Sequence, residues 1–144
     1  MKVSDLIGSR REIFAVLEDA SVLEAAQYLY EKQIRAAGVV NRLGQLAGVI
    51  AQSDISDKVA AKNLCPAWVK VSDIMSTRLF RVTPHMHFEE GMKLMEQEGV
   101  HHLVIVEENG EFHGMLSIND LLKAMVWDEK ERADVLESYV YAVR

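Results

Sequence analysis

A stretch of this chain occurs twice, and that duplication constrains the fold more than any other feature. Gly48-Val49-Ile50-Ala51-Gln52-Ser53-Asp54-Ile55 matches Gly114-Met115-Leu116-Ser117-Ile118-Asn119-Asp120-Leu121. The same constant offset carries Ile34 onto Val100, Val39-Val40 onto Ile105-Val106, Gly44 onto Gly110 and Phe14 onto Phe80. Only near the start does the register slip, by two positions, where Val3-Ser4-Asp5-Leu6 matches Val71-Ser72-Asp73-Ile74. Register kept over so long a span identifies an internal repeat.

Each copy predicts the same elements. A short extended piece (Ile13 to Leu17; Leu79 to Thr83) leads into a helix whose apolar face is Val22, Ala25, Ala26 and Leu29 in copy one. Phe88, Gly91, Met92 and Met95 form that face in copy two. Ser21 and Glu24 have the spacing of a capping box, and His87 occupies the position equivalent to Ser21. Small residues at Ala25 and Gly91 suggest close packing. Two apolar runs follow, joined by a turn bearing Gly44 or Gly110, and a second helix begins near Asp54 or Asp120.

The unit is therefore strand, helix, strand, strand, helix. A copy of ~60 residues is marginal alone, so the two are expected to bury their sheets against each other. The expected division is repeat one over 1–62, a linker over 63–70, repeat two over 71–126, and a helical tail over 127–144. The fold class is α+β (α/β): two pseudo-twofold-related repeats plus a C-terminal helix.

The net charge of −6 disfavours nucleic acid as a partner. No apolar run approaches a membrane span. A single cysteine, Cys65, and an N-terminus without a signal-peptide pattern lead to a cytoplasmic expectation. The histidines do not read as a metal site. His85-x-His87, His101-His102 and His113 invite that reading, but His101 and His102 would point to opposite faces of a strand, and His87 is more simply a helix-start residue. No catalytic residue is expected.

The loop Gly-x-x-Ser-x-x-Asp is the chemically informative place. Ser117 stands at a strand end and Asp120 in the first helical turn, where a carboxylate can accept two hydrogen bonds from a ribose diol. The alternative is that Asp54 and Asp120 only complement a helix dipole, an effect of about 0.3–1 kcal/mol. The strand-entry segments Ile34-Arg35-Ala36-Ala37 and Val100-His101-His102-Leu103 add basic groups suited to phosphate and aliphatic groups suited to a flat base.

Taken together, the unit resembles the CBS domain, whose tandem pairs form the Bateman module. The segments from Val100 to Gly110 and from Gly114 to Leu122 look like the last CBS repeat of the AMP-activated protein kinase gamma subunit. The resemblance implies two clefts taking adenosine compounds such as AMP, ADP or ATP. The better cleft would use Ser117 and Asp120 for the ribose, His101 and His102 toward the phosphates, and Ser9, Phe14 and Ile34 around the base. The other would use Asp54 for the ribose, Arg35 for phosphate, and Phe80 and Val100 for the base. Ala51 replaces the hydroxyl residue there, so the clefts are expected to be unequal. The resemblance also implies a homodimer through the helices after Asp54 and Asp120, with further apolar surface at Ala133, Leu136, Tyr139 and Val140, and a target protein that the sequence does not name. The rival to a nucleotide sensor is a ligand-free CBS-type interaction module.

Overall fold

The structure, a computed structural model, describes the backbone of residues 1–7 and 13–143 and the side chains of those up to 134. Chain order runs α1 (Val3–Ile7), β1 (Ala15–Leu17), α2 (Val22–Lys32), β2 (Ala36–Val40), β3 (Leu46–Ala51) and α3 (Gln52–Ile55), which widens into a π-helical turn over Ser56–Ala60. A 3₁₀ turn at Pro66–Trp68 leads to α4 (Val71–Ile74), β4 (Arg81–Val82), α5 (Phe88–Glu98), β5 (His102–Val106), β6 (Phe112–Ser117) and α6 (Ile118–Val143).

The two sheets have the same order, β1-β2-β3 and β4-β5-β6. In each, the first pair is parallel and the second an antiparallel hairpin. Even the irregularities repeat: a register shift falls between Val39 and Val40, and again between Ile105 and Val106. The first long helix ends in a left-handed residue in both copies, Gln33 (φ 55°) and Gly99 (φ 65°). Duplication thus extends to the backbone.

The spatial units are not the sequence units. Helix α1 packs its buried Val3 and Ile7 into the second core, with Val82, Phe88, Leu103, Leu116 and Leu121. Reciprocally, Val71 and Ile74 of α4 pack into the first core, with Val22, Val39, Ile50 and Val59. Matching backbone bonds fix this exchange. The Val3 and Ser4 N–H groups donate to Met86 and Pro84, while Val71 and Ser72 donate to Ala20 and Glu18. The two-position slip falls in the connectors between these segments and the strands that follow them. A cut between 62 and 71 would therefore separate α1 from the core that it fills.

The sheets meet where β2 and β6 approach, and Gly38 lies beneath the Phe112 ring. A Cβ on Gly38 would stand 2.6 Å from two ring carbons, so the absent side chain is what admits the ring. The first core is aliphatic and the second adds Phe88, and no polar residue is buried among the described residues.

Two expectations need correction. The segment after Trp127 is not a separate tail, because α6 continues without a break from Ile118 to Val143. Nothing in the local sequence stops it: Asp128 to Arg132 are charged but helix-compatible, and Asp128 pairs with Arg132 at 3.3 Å one turn on. The capping box at Ser21 is half formed: the Glu24 N–H donates to Ser21 Oγ at 3.1 Å. The reach-back carboxylates appear at the shorter helices, where Asp5 accepts from the Lys2 N–H and Asp73 from the Lys70 N–H. His87 caps α5 by position, without a side-chain bond. Leu136, Tyr139 and Val140 lie outside the described side chains.

Candidate functional site

In both halves the last strand turns directly into a helix, and the strand-entry segment crosses behind that turn. The Gln52 N–H donates to the Arg35 carbonyl, and the Ile118 N–H donates to the His101 carbonyl. In register, Ala36 faces Ala51 and His102 faces Ser117. The antiparallel hairpin therefore brings the histidine beside the serine.

Within the second turn, Asp120 is the organising group. Its Oδ2 accepts from the Ser117 N–H (2.8 Å) and from the Ser117 hydroxyl (2.9 Å), while Ser117 Oγ accepts from the Asp120 N–H (3.2 Å). This reciprocal closure is a capping arrangement. It still leaves the Ser117 oxygen a second lone pair.

His102 is half-buried, and its pKa lies below the ordinary value of 6.5. Burial is the largest cause, followed by the charge of His101, with Arg35 also lowering it and Asp120 opposing. Arg35 from the first half is thus close enough to be felt electrostatically by His102. His101 itself is exposed.

An open pocket of about 550 Å³ adjoins this turn. It is lined by Asp120, Lys123, Ala124, Trp127 and Glu131 along α6, and by Met1, Asp5 and Leu6 across from them. Phe14 lies elsewhere, edge-on to Tyr28 at 6.5 Å in the first half. Ile34 is half-buried beside Arg35. Ser9 falls outside the described residues.

The first turn has the same backbone but different contacts. Asp54 accepts from the Ala51 N–H (2.9 Å), and no hydroxyl accompanies it. Lys58, one turn on, forms an ion pair with Asp54 at 3.0 Å and also donates to the Ile74 carbonyl at 2.9 Å. The equivalent of Lys58 in the second half is Ala124. This neutralising lysine escaped the motif reading, although an Asp-x-x-x-Lys pair at helical spacing was visible. Phe80 and Val100 pack against the second core, and the Arg78 guanidinium lies 5.2 Å from the Phe80 ring centre while pairing with Glu98.

His85 and His113 flank a second open pocket with Glu107, and His113 lies 3.8 Å from that carboxylate. No group among the described residues is arranged to hold a metal ion. No described helix is long and apolar enough to cross a membrane.

The CBS domain model matches residues 3–61 and again 71–126. The chain belongs to the CBS-domain family. It is a tandem CBS pair, a regulatory module. A CBS-domain protein from Burkholderia ambifaria has the same fold at a TM-score of 0.82 and 27% identity, covering 89% of this chain and 96% of that one. A CBS domain protein from Pyrobaculum aerophilum, solved in complex with AMP, aligns at a TM-score of 0.76 and 24% identity over 83% of this chain and 89% of that one. In sequence, a protein of Methanopyrus kandleri is 30% identical over 80% of this chain, and the human 5'-AMP-activated protein kinase subunit gamma-3 is 29% identical over 86%. This chain spans 59% of the first relative and 27% of the second.

Proposed function

We propose that this CBS pair senses an adenosine nucleotide, AMP, ADP or ATP, at one site in its second half. The observation carrying the reading is the turn that sets Ser117 and Asp120 beside His102 next to an open pocket, with the charge of Arg35 reaching His102. Asp120 and the remaining lone pair of Ser117 hold the ribose, and the basic strand entries, His101 included, meet the phosphates. The AMP complex of the Pyrobaculum protein and the likeness to a subunit of an AMP-activated kinase support this choice of ligand class. Asp54, with Lys58 on its carboxylate and Ala51 in place of a hydroxyl, leaves the first half without a competent partner site. Arg35 then serves the second half, and Phe80 and Val100 serve the core. Exposed Ile118, Leu122, Met125 and Val126 on α6 suit a homodimer interface through which occupancy would reach a target protein.

A panel of AMP, ADP, ATP, NADH and S-adenosylmethionine in a thermal-shift measurement tests the reading. A ligand bound only by the folded chain at a hundred times its Kd stabilises by about 2.7 kcal/mol and raises the Tm. No shift with any of them would favour the ligand-free interaction module. One observation favours that second reading: the Ser117–Asp120 pair is already complete as a helix cap.

A further inference from the structure

We infer that α6 pairs with α6 of a second copy as a parallel two-stranded coiled coil, so that like halves of the two copies lie together. This rests on the homodimer part of the proposed function and not on the nucleotide. Helix α6 is apolar on two sides. Leu121 and Ala124 are buried in the second core. At about 100° per residue, Leu122, Val126 and Ala133 stand on the side opposite Ala124, and all three are exposed. Leu122 is 49% and Val126 68% exposed. A surface helix ordinarily has one apolar stripe and a polar opposite face. Two stripes need two partners, and the second core covers only one. Carried back onto the first half, Leu122 and Val126 fall on Ser56 and Ala60. A first half laid against a second half would therefore set Leu122 and Val126 against a polar and a small residue, whereas α6 against α6 sets apolar on apolar.

The spacing matches the same partner. Leu122, Val126, Glu129 and Ala133 recur at intervals of four, three and four, and the sequence keeps that rhythm at Leu136 and Val140. This is the a/d repeat of a left-handed coiled coil. The helix also outruns its core. Among the described residues Ala124 is the last of α6 in the core, and Glu129 to Asp134 are all exposed. The helical backbone nevertheless continues to Val143, about 28 Å past Ala124 at 1.5 Å per residue. An extension of that length is marginal alone in water, and a second α6 supplies the contacts it lacks. Charge favours the parallel arrangement. Glu129 falls on a d position, and in a parallel pair a d side chain inserts beside the residue that follows d on the partner. That residue is Lys130, exposed like Glu129. Twofold symmetry then makes two Glu129–Lys130 pairs across the seam.

The full chain with its exposed cysteine removed, Cys65→Ser, carries the test. Val126→Cys and Ala133→Cys, each alone in that background, should join to the same residue of a second copy as an interchain disulfide in a glutathione buffer. A parallel pair sets every a position opposite itself, whereas an antiparallel pair brings at most one of the two to its own copy. Lys130→Glu should weaken the dimer about fivefold, and exchanging the charges (Glu129→Lys with Lys130→Glu) should restore it. Val126→Glu should give a monomeric mass by light scattering, with circular dichroism checking that the fold persists. A dimeric parent chain in which only one cysteine variant links, or neither, would overturn the parallel coiled coil while leaving the homodimer standing. A monomeric parent chain at micromolar concentration would overturn both and leave the stripe to a different protein.

Discussion

The turns at Ala51–Asp54 and Ser117–Asp120 have one backbone and two chemistries. In each, a carboxylate one turn into the helix accepts the N–H of the strand's last residue, at 2.9 and 2.8 Å. Around that shared bond the surroundings diverge: Ala51 against Ser117, Lys58 against Ala124, and Ala36 against a half-buried His102 held below its ordinary pKa. Duplication has preserved the cap, which the fold needs twice, while the groups suited to a ligand survive in one copy. A motif aspartate is therefore evidence of a helix start first. What stands on it one turn later decides whether it faces a ligand.

Restoring the missing parts is the strongest way to break this comparison. Ala51→Ser with Lys58→Ala gives the first turn the hydroxyl of the second and takes the lysine off Asp54. The added hydrogen bond contributes on the order of 0.5–1.5 kcal/mol, up to about tenfold in affinity, before the freed carboxylate is counted. Calorimetric stoichiometry should rise from one nucleotide per chain toward two. Unchanged stoichiometry would show that the first half lacks more than these two groups.

Acid should separate the halves next. Because His102 is held below its ordinary pKa, the folded chain binds fewer protons than the unfolded one as pH falls beneath about 6.5. Stability is full above that value and is lost as pH drops through the lowered folded pKa. His102→Gln should lessen this acid-side loss of Tm by a few degrees. A bound phosphate draws the proton back on, so the affinity of AMP relative to adenosine should keep rising below pH 6.5. A bare imidazole would place that rise between pH 8 and 6, and burial moves it down. A ratio independent of pH would remove His102 from the phosphate site.

The duplication, the order of elements, the hairpins and the unequal turns were all legible in the sequence, because each rests on local pattern. The exchange of α1 and α4 between cores was not legible, since nothing local says which core a four- or five-residue helix will fill. Lys58 was a readable spacing that the motif obscured. Trp127 was harder: it lay beyond the apparent end of the repeat, and only the unbroken α6 carries it to the pocket at Asp120. Phe14 and Phe80 shared a register that said nothing of their neighbours, and those neighbours turned out to be Tyr28 and Arg78.

The smallest effect concerns the first helices. Ala25 and Gly91 match, and the sequence suggested that both must be small. A Cβ on Gly91 would meet nothing closer than Leu103 at 3.5 Å, an ordinary contact. Gly91→Ala should therefore stabilise the chain by about 0.5–1 kcal/mol through helix propensity. A lower melting temperature would mean that the second core is tighter than its distances indicate.

Calorimetry with AMP on Asp120→Ala and Asp54→Ala tests the inequality of the two turns most directly. Asp120→Ala loses two charge-assisted ribose bonds and should weaken binding on the order of a hundredfold. Asp54→Ala should leave the Kd within about twofold, since only a helix cap and the Lys58 pair are lost. Equal losses in the two variants, or a loss confined to Asp54→Ala, would contradict the account.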